Sequence, residues 1–129
     1  MNFHSKNIDV VIPTLGGKKL YKTVKNLNLG SLKPKKIICV YYYKFNFSLF
    51  KKDFKNIYFV KSNIRNQVHQ RNEGFRHVKS NYILQLDDDI SFEKDTLLNL
   101  MKSKIKLGKK SLVGPVFFDL NKKPIHNAE

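Results

Sequence analysis

Three consecutive carboxylates, Asp87, Asp88 and Asp89, follow the apolar run "YILQL" at residues 82–86. The chain has 129 residues, and only 10 acidic side chains stand against 25 basic ones, for a formal charge of +15. Three acids side by side repel one another unless something neutralises them. One explanation is helix capping, in which an Asp or Ser ahead of a helix accepts from its orphan N–H groups. Capping accounts for one carboxylate, and Ser91 is at hand to do the same work. The other explanation is a hard divalent ion with oxygen ligands: Mg2+ typically takes one or two carboxylates together with phosphate oxygens. The number of acids and their place after an apolar strand favour the second.

The arginines are the next chemical signal. Arg65, Arg71 and Arg76 are the only three in the chain and fall in one twelve-residue segment, while the other basic residues are lysines. Arginine offers a planar fork that binds phosphate or carboxylate bidentately. On a helical wheel Arg71 falls between Val68, Phe75 and Val78, on the inward face, with Arg65 and Arg76 nearer the polar edge. A charge on an inward face is costly unless paired. Arg71 therefore either forms an internal ion pair, with Asp88 or Asp9, or reaches an anionic ligand.

Other motifs carry less. "TLGGKK" (14–19) has glycines and lysines after a strand but lacks P-loop spacing, so a turn before a helix is the simpler reading. His4, His69, His77 and His126 show no paired metal-ligand spacing. Cys39 is a lone thiol inside an apolar run, which reads as a buried core residue. Tyr41, Tyr42 and Tyr43 read as strand packing, with a tip ring free to stack on a base. No nucleophile elbow is present. The lysines are scattered, which attracts anions in general but matches no nucleic-acid-binding signature.

These residues need elements to hold them. "IDVVIP" (8–13) reads as a strand, "GGKKLYKTVKNLNLG" as a helix with Leu20, Val24 and Leu27 inward and Gly30 as its stop. "KKIICVYYY" (35–43) reads as a strand apolar on both faces, as in a buried parallel position. Residues 44–55 read as an aromatic, basic loop with at most one helical turn. "NIYFVKS" (56–62) is a third strand, residues 65–79 a helix, and "NYILQLD" (81–87) a fourth strand. A helix capped by Ser91 follows, with Glu93 and Asp95 in its first turn and Leu97, Leu98, Met101 and Ile105 inward. "SLVGPVFF" (111–118) reads as a fifth strand. The alternation predicts a single α/β domain over 1–129, a mostly parallel sheet with helices on both faces. Ligands of such sheets bind at the carboxyl ends of the strands, which is where the triplet falls. No apolar run approaches a membrane span and the first residues lack a signal-peptide core, so a cytoplasmic setting is expected.

The pieces together resemble family 2 glycosyltransferases of GT-A fold, in their Rossmann-like nucleotide-sugar-binding half. "VVIPTLGG" resembles the family's opening strand, and "NQVHQRNEGFRHVKSNYILQLDDDI" its Arg-Asn-x-Gly helix, apolar strand and Asp-x-Asp motif, here Arg71, Asn72, Gly74, Asp87 and Asp89. "LVGPVFFDLNKKPIHNAE" is similar to the next strand and turn of rhamnosyltransferase-like members. The resemblance implies a nucleoside-diphosphate-sugar donor and a glycan or lipid-linked acceptor. It implies a Mg2+ or Mn2+ ion held by Asp89 and Asp87, with Asp88 assisting. Pro13 and Thr14 would line the nucleoside pocket, with Arg71 and Asn72 beside the donor. The family usually has an acid at the tip of its second strand; this chain reads "VYYYKF" there. By the same resemblance the domain is incomplete and its general base is expected beyond Glu129.

Three functions follow as expectations. The first is metal-assisted, inverting sugar transfer, with peripheral contact at the inner membrane face through the basic surface. The second is a nucleotide- or metal-binding module without turnover. The third is a basic binder of nucleic acid or anionic membrane, resting on charge alone.

Overall fold

The computed structural model describes residues 8–114. Strand and helix alternate along them: β1 (Ile8–Thr14), α1 (Lys18–Leu29), β2 (Lys36–Tyr41), α2 (Phe47–Asp53), β3 (Ile57–Lys61), α3 (Gln67–Phe75), β4 (Tyr82–Gln85) and α4 (Thr96–Leu107). The strands make one parallel sheet in the order β3-β2-β1-β4. The chain steps outward from β1 to β3 and then crosses back to lay β4 on the other side of β1. The reversal leaves a switch point between β1 and β4, where the connections diverge and a crevice opens at the strand ends.

The two central strands are rich in β-branched residues and buried on both faces, which is what coverage by helices on each side requires. On one face Ile8, Val10, Ile12, Ile37 and Cys39 pack against Leu20, Val24 and Leu27 of α1, Phe50 of α2, and Leu97 and Met101 of α4. On the other, Val11, Ile38 and Val40 meet Phe75 and Val78. This is the α/β, Rossmann-like arrangement that the alternation predicts.

α3 lies unusually close to the sheet. A Cβ on its Gly74 would stand 2.4 Å from Val11 Cγ1 and 3.0 Å from Val40 Cγ2, nearer than carbon atoms can pack. A buried carboxylate secures the return from α3 to β4. Asp9 Oδ2 accepts from the N–H groups of Lys79 (2.8 Å) and Ser80 (3.1 Å), and Oδ1 from the Ser80 hydroxyl (2.7 Å).

Several local expectations are corrected. Residues 44–55 are not all loop: α2 forms two turns there, its start capped by Asn46, which accepts from Leu49 N–H. Its Phe50 meets Tyr21, Phe45 and Phe59 edge-on and Phe54 at a tilt. Ser91 does not cap α4. The residue preceding that helix is Asp95, whose carboxylate instead accepts from the Ser31 hydroxyl, so neither Glu93 nor Asp95 lies in the first turn. Residues 111–114 form no strand, and the rest of the expected fifth strand lies outside the described residues. Among the described residues no helix is long and apolar enough to cross a membrane.

Candidate functional site

The site is built where β1 and β4 end. β1 finishes at Thr14, and the chain then turns sharply through Gly16, whose φ of +87° favours glycine. Thr14 Oγ1 accepts from the Gly16 N–H at 2.9 Å and donates to Asp88 Oδ2 at 2.7 Å. One hydroxyl therefore shapes the turn after β1 and holds the middle carboxylate of the triplet across the switch point. β4 pairing continues one residue past its end, as Leu86 N–H donates to Val11 C=O at 3.1 Å. The triplet is thus held in register with β1.

α1 secures the backbone beyond it. Thr23 is buried, and its Oγ1 lies 3.0 Å from the carbonyls of both Asp88 and Ile90 and 3.1 Å from that of Lys19. Further on, Phe92 N–H donates to Asn26 Oδ1 and Ser31 N–H to the Lys94 carbonyl. Residues 88–94 are strapped along α1, so the triplet has little freedom to move.

α3 supplies the opposite wall. Asn66 caps it, accepting from His69 N–H at 3.0 Å. Gln70 is buried and donates through Nε2 to the carbonyls of Thr14 (3.0 Å) and Val40 (2.9 Å), tying together the ends of the two central strands. One turn earlier, Gln67 Nε2 donates to Asp87 Oδ1 at 3.3 Å. Arg71 pairs with that same oxygen at 3.5 Å, while its Nε is buried without a partner among the described residues. The inward residues of α3 are Gln70 and Gly74, and Val68 is 62% exposed. The hydrophobic wheel was rotated from its true setting because the helix approaches the sheet through a glycine. Arg71 is accordingly at the flank, and its ion pair is with Asp87 rather than Asp88 or Asp9. Arg76 pairs on the surface with Glu73.

Between these walls opens a cavity of about 320 Å³, lined by Pro13, Thr14, Leu15, Arg65, Asn66, Gln67, Gln70 and Asp88. Of the residues expected at a donor site, Pro13, Thr14 and Asp88 line it together. Arg71 and Asp87 sit beside it as a pair. Asn72 is exposed on α3 and Asp89 is exposed beyond the triplet's bonded members; neither is in the lining. Arg65, noted in the sequence only as one of the clustered arginines, joins the lining, and Asn66, Gln67 and Gln70 are lining residues that the pattern of the sequence did not single out. Their signal was available only in the concentration of polar amides at the start of a helix facing strand ends.

The acids present an oxygen donor set suited to a hard ion. Asp87 is half-exposed and Asp89 is exposed with no hydrogen-bond or ion-pair partner among the described residues. Among the described residues no three His, Cys, Asp or Glu side chains converge as a closed metal cage. One or two open carboxylates without a cage fit an ion that arrives with phosphate oxygens, as Mg2+ usually does. Cys39 lies beneath the site, fully buried. Burial, reinforced by the nearby charge of Asp88, pushes its thiol well above the ordinary range, so it is not a nucleophile.

An all-parallel α/β sheet with a cavity and an acidic triplet at its strand ends is an arrangement of the Rossmann kind. The sequence comparisons narrow the class. The family model described as "Glycosyl transferase family 2" matches residues 9–124, and the chain belongs to that family. No curated protein sequence matches it. Among solved structures, that of S. aureus TarS residues 1–349 is similar, with a TM-score of 0.63 and 17% sequence identity. The match covers 74% of this chain and 31% of that one, so the chain spans under a third of its structural neighbour's length.

Proposed function

We propose that the chain binds the nucleoside-diphosphate part of a sugar donor across the ends of β1 and β4, as the donor site of an inverting glycosyl transfer to a glycan or lipid-linked acceptor. The observation that carries this reading is the Thr14–Asp88 hydrogen bond, which brings the acidic triplet to the rim of a cavity opening on the switch point. Family membership supports the reaction class.

In this reading Asp89 and Asp87 hold a Mg2+ or Mn2+ ion, which supplies Lewis-acid neutralisation of the charge that develops on a departing diphosphate. The chain's own residues set the geometry. Thr14 fixes Asp88, and Gln67 and Arg71 hold Asp87 by one oxygen. Pro13 and Leu15 offer the nucleoside an apolar wall. The exposed lysines of α1 (Lys18, Lys19, Lys22, Lys25) and α4 (Lys102, Lys106) support attraction to an anionic membrane where a lipid-linked acceptor would lie.

A second reading has one specific observation in its favour. Asp88 is the one carboxylate among the described lining residues and one of its oxygens is already engaged by Thr14, so the described lining offers no histidine and no second carboxylate as a base for an incoming hydroxyl. On that reading the chain binds donor without turning it over. Titration of UDP-, GDP- and dTDP-sugars with and without Mg2+ or Mn2+ tests the shared part. Binding should require the ion and weaken at least tenfold in Asp89→Ala, about 1.4 kcal/mol; ion-independent binding that Asp89→Ala leaves unchanged overturns the assignment. Release of free sugar or transfer from the bound donor then separates the transferase from the binding module.

A further inference from the structure

The cavity carries opposite charges at its two ends. Asp88 stands over the switch point beside β4 and β1, and Arg65 closes the lining on the side of β2. The turn around Arg65 is fixed by its neighbours, and, among the described residues, Arg65 itself makes one contact. Ser62, buried at the end of β3, donates its N–H to the Tyr41 carbonyl at 2.7 Å, which ties the β3–α3 connection to the tip of β2. The Ser62 hydroxyl donates to the Ile64 carbonyl at 2.7 Å, and Asn66 N–H donates to that same carbonyl at 3.0 Å. The resulting tight turn lays the Arg65 guanidinium over the Tyr43 ring, 5.5 Å from its centroid. Tyr42 packs edge-on against Tyr43 at 4.9 Å and steadies it.

Arg71 and Arg76 are each engaged by a carboxylate. Arg65 has no carboxylate partner among the described residues; its guanidinium carbon lies over a ring and the residue is exposed. A guanidinium stacked on an aromatic keeps its donors in one plane, and it is a donor only. This is a group suited to a flat ligand that presents acceptors in its own plane.

Resting on the donor-site reading above, we infer that Arg65, positioned by Tyr43, selects the base of the donor nucleotide by the carbonyl at its outer edge. With the diphosphate at the triplet, the base lies at the β2 end of the cavity, within the Arg65–Tyr43 corner. Uracil, thymine and guanine present an oxygen at the pyrimidine 4 or purine 6 position; cytosine and adenine present an amino group there. The arginine N–H donates to the oxygen and confronts the amino group, so keto bases are accepted and amino bases rejected. Guanine, with O6 and N7 side by side, offers the fork two acceptors. The tip of β2 reads Tyr42-Tyr43-Lys44 and holds no acid. The described residues at this end therefore offer an amino group no carboxylate.

The test is competition binding to the full chain with Mn2+, using UDP, GDP, CDP, ADP and inorganic pyrophosphate. UDP and GDP should bind about tenfold or more tighter than CDP and ADP, the scale of one good base-edge contact. Arg65→Ala should reduce UDP and GDP to the level of CDP and ADP while leaving pyrophosphate unchanged. Arg65→Lys, which keeps the charge but not the fork, should not restore the gap. Because Arg65 is exposed, these variants should melt like the parent. Equal weakening of all nucleotides and of pyrophosphate in Arg65→Ala would make Arg65 a phosphate contact and overturn the inference. Nucleotides that bind the parent with no base preference sink this inference alone. Failure of pyrophosphate and every nucleotide to bind sinks the donor-site reading and this inference with it.

Discussion

Gly74→Ala is the substitution that best tests how the sheet and the site are joined. The added Cβ would meet Val11 Cγ1 at 2.4 Å and Val40 Cγ2 at 3.0 Å. Carbon contacts settle near 3.5–4.0 Å, so the first distance must open by about 1 Å. Val11 and Val40 are fully buried on the central strands and have nowhere to go, so α3 must lift. Overpacking of this severity costs about 3 kcal/mol, and the better helix propensity of alanine returns about 1 kcal/mol. The net loss is about 2 kcal/mol, against a total stability of order 5–15 kcal/mol for a domain. That corresponds to a melting temperature lower by about 8 °C and a urea midpoint lower by about 1 M. Lifting α3 also draws Gln70, one turn earlier, off the carbonyls of Thr14 and Val40, so nucleotide affinity should fall together with stability. Gly17→Ala is the control, since its Cβ would meet nothing within 4 Å. Val11→Ala introduced into the Gly74→Ala chain should recover part of the loss. A Gly74→Ala protein that melts at or above the parent, with binding retained, would refute the close approach as the basis of this packing.

Two further outcomes follow from buried groups. Burial raises the Asp9 carboxyl, but donation from Lys79 N–H, the Ser80 hydroxyl and Ser80 N–H, with the charge of Lys36, outweighs it and holds the group below the usual carboxylate range. A carboxylate lowered on folding stabilises the fold above its unfolded pKa of about 3.9, and that stability is lost as pH falls through the lower folded value. Asp9→Asn, which leaves donors facing an amide N–H, should cost about 1–3 kcal/mol at neutral pH and flatten the acid limb of a stability–pH curve; an acid limb as steep as the parent's would remove Asp9 from it. Cys39 is fully buried with its thiol pushed well up, so a thiol-specific reagent at mildly alkaline pH should label it only after unfolding in urea, and stoichiometric labelling of the native chain would contradict its placement.

Much of the fold was legible because its signals are local. β1 and β2 announce themselves as β-branched runs, and Leu20, Val24 and Leu27 give the buried stripe of α1 directly. The position of the triplet was legible too, since a parallel sheet puts strand ends and ligands on one edge. The face of α3 was not. Helical periodicity weighs large apolar residues, and here the inward positions are a glycine and a glutamine. Gly74 contributes by having no side chain, and Gln70 by donating to two strand-end carbonyls, so neither registers as hydrophobic. The error displaced Arg71 inward and put Arg65 on the helix, whereas it lies ahead of α3 in a loop that Ser62 ties to Tyr41. The helical signal of 47–53 was masked in the same way, by aromatic residues that favour strands in isolation but pack on Phe45 and Phe59 in the folded chain.

The repulsion within the triplet is resolved by giving each carboxylate a different neighbour. Asp87 turns to the guanidinium of Arg71 and the amide of Gln67 on α3. Asp88 turns to the hydroxyl of Thr14 on β1, with its backbone carbonyl close to Thr23. Asp89 faces solvent. Successive side chains diverge in three directions, so each acid meets a donor or water rather than its twin. The division also orders their functions. A carboxylate with an internal hydroxyl donor is committed to shape, one in a half-exposed ion pair can exchange its partner at modest cost, and one in solvent is free to bind. In the donor-site reading proposed above, a cation would therefore be taken by Asp89 before Asp87 and Asp88, and would compete with Arg71 for Asp87. Releasing that arginine beside the strand ends would place a second fork next to an anionic ligand at the moment the ligand arrives.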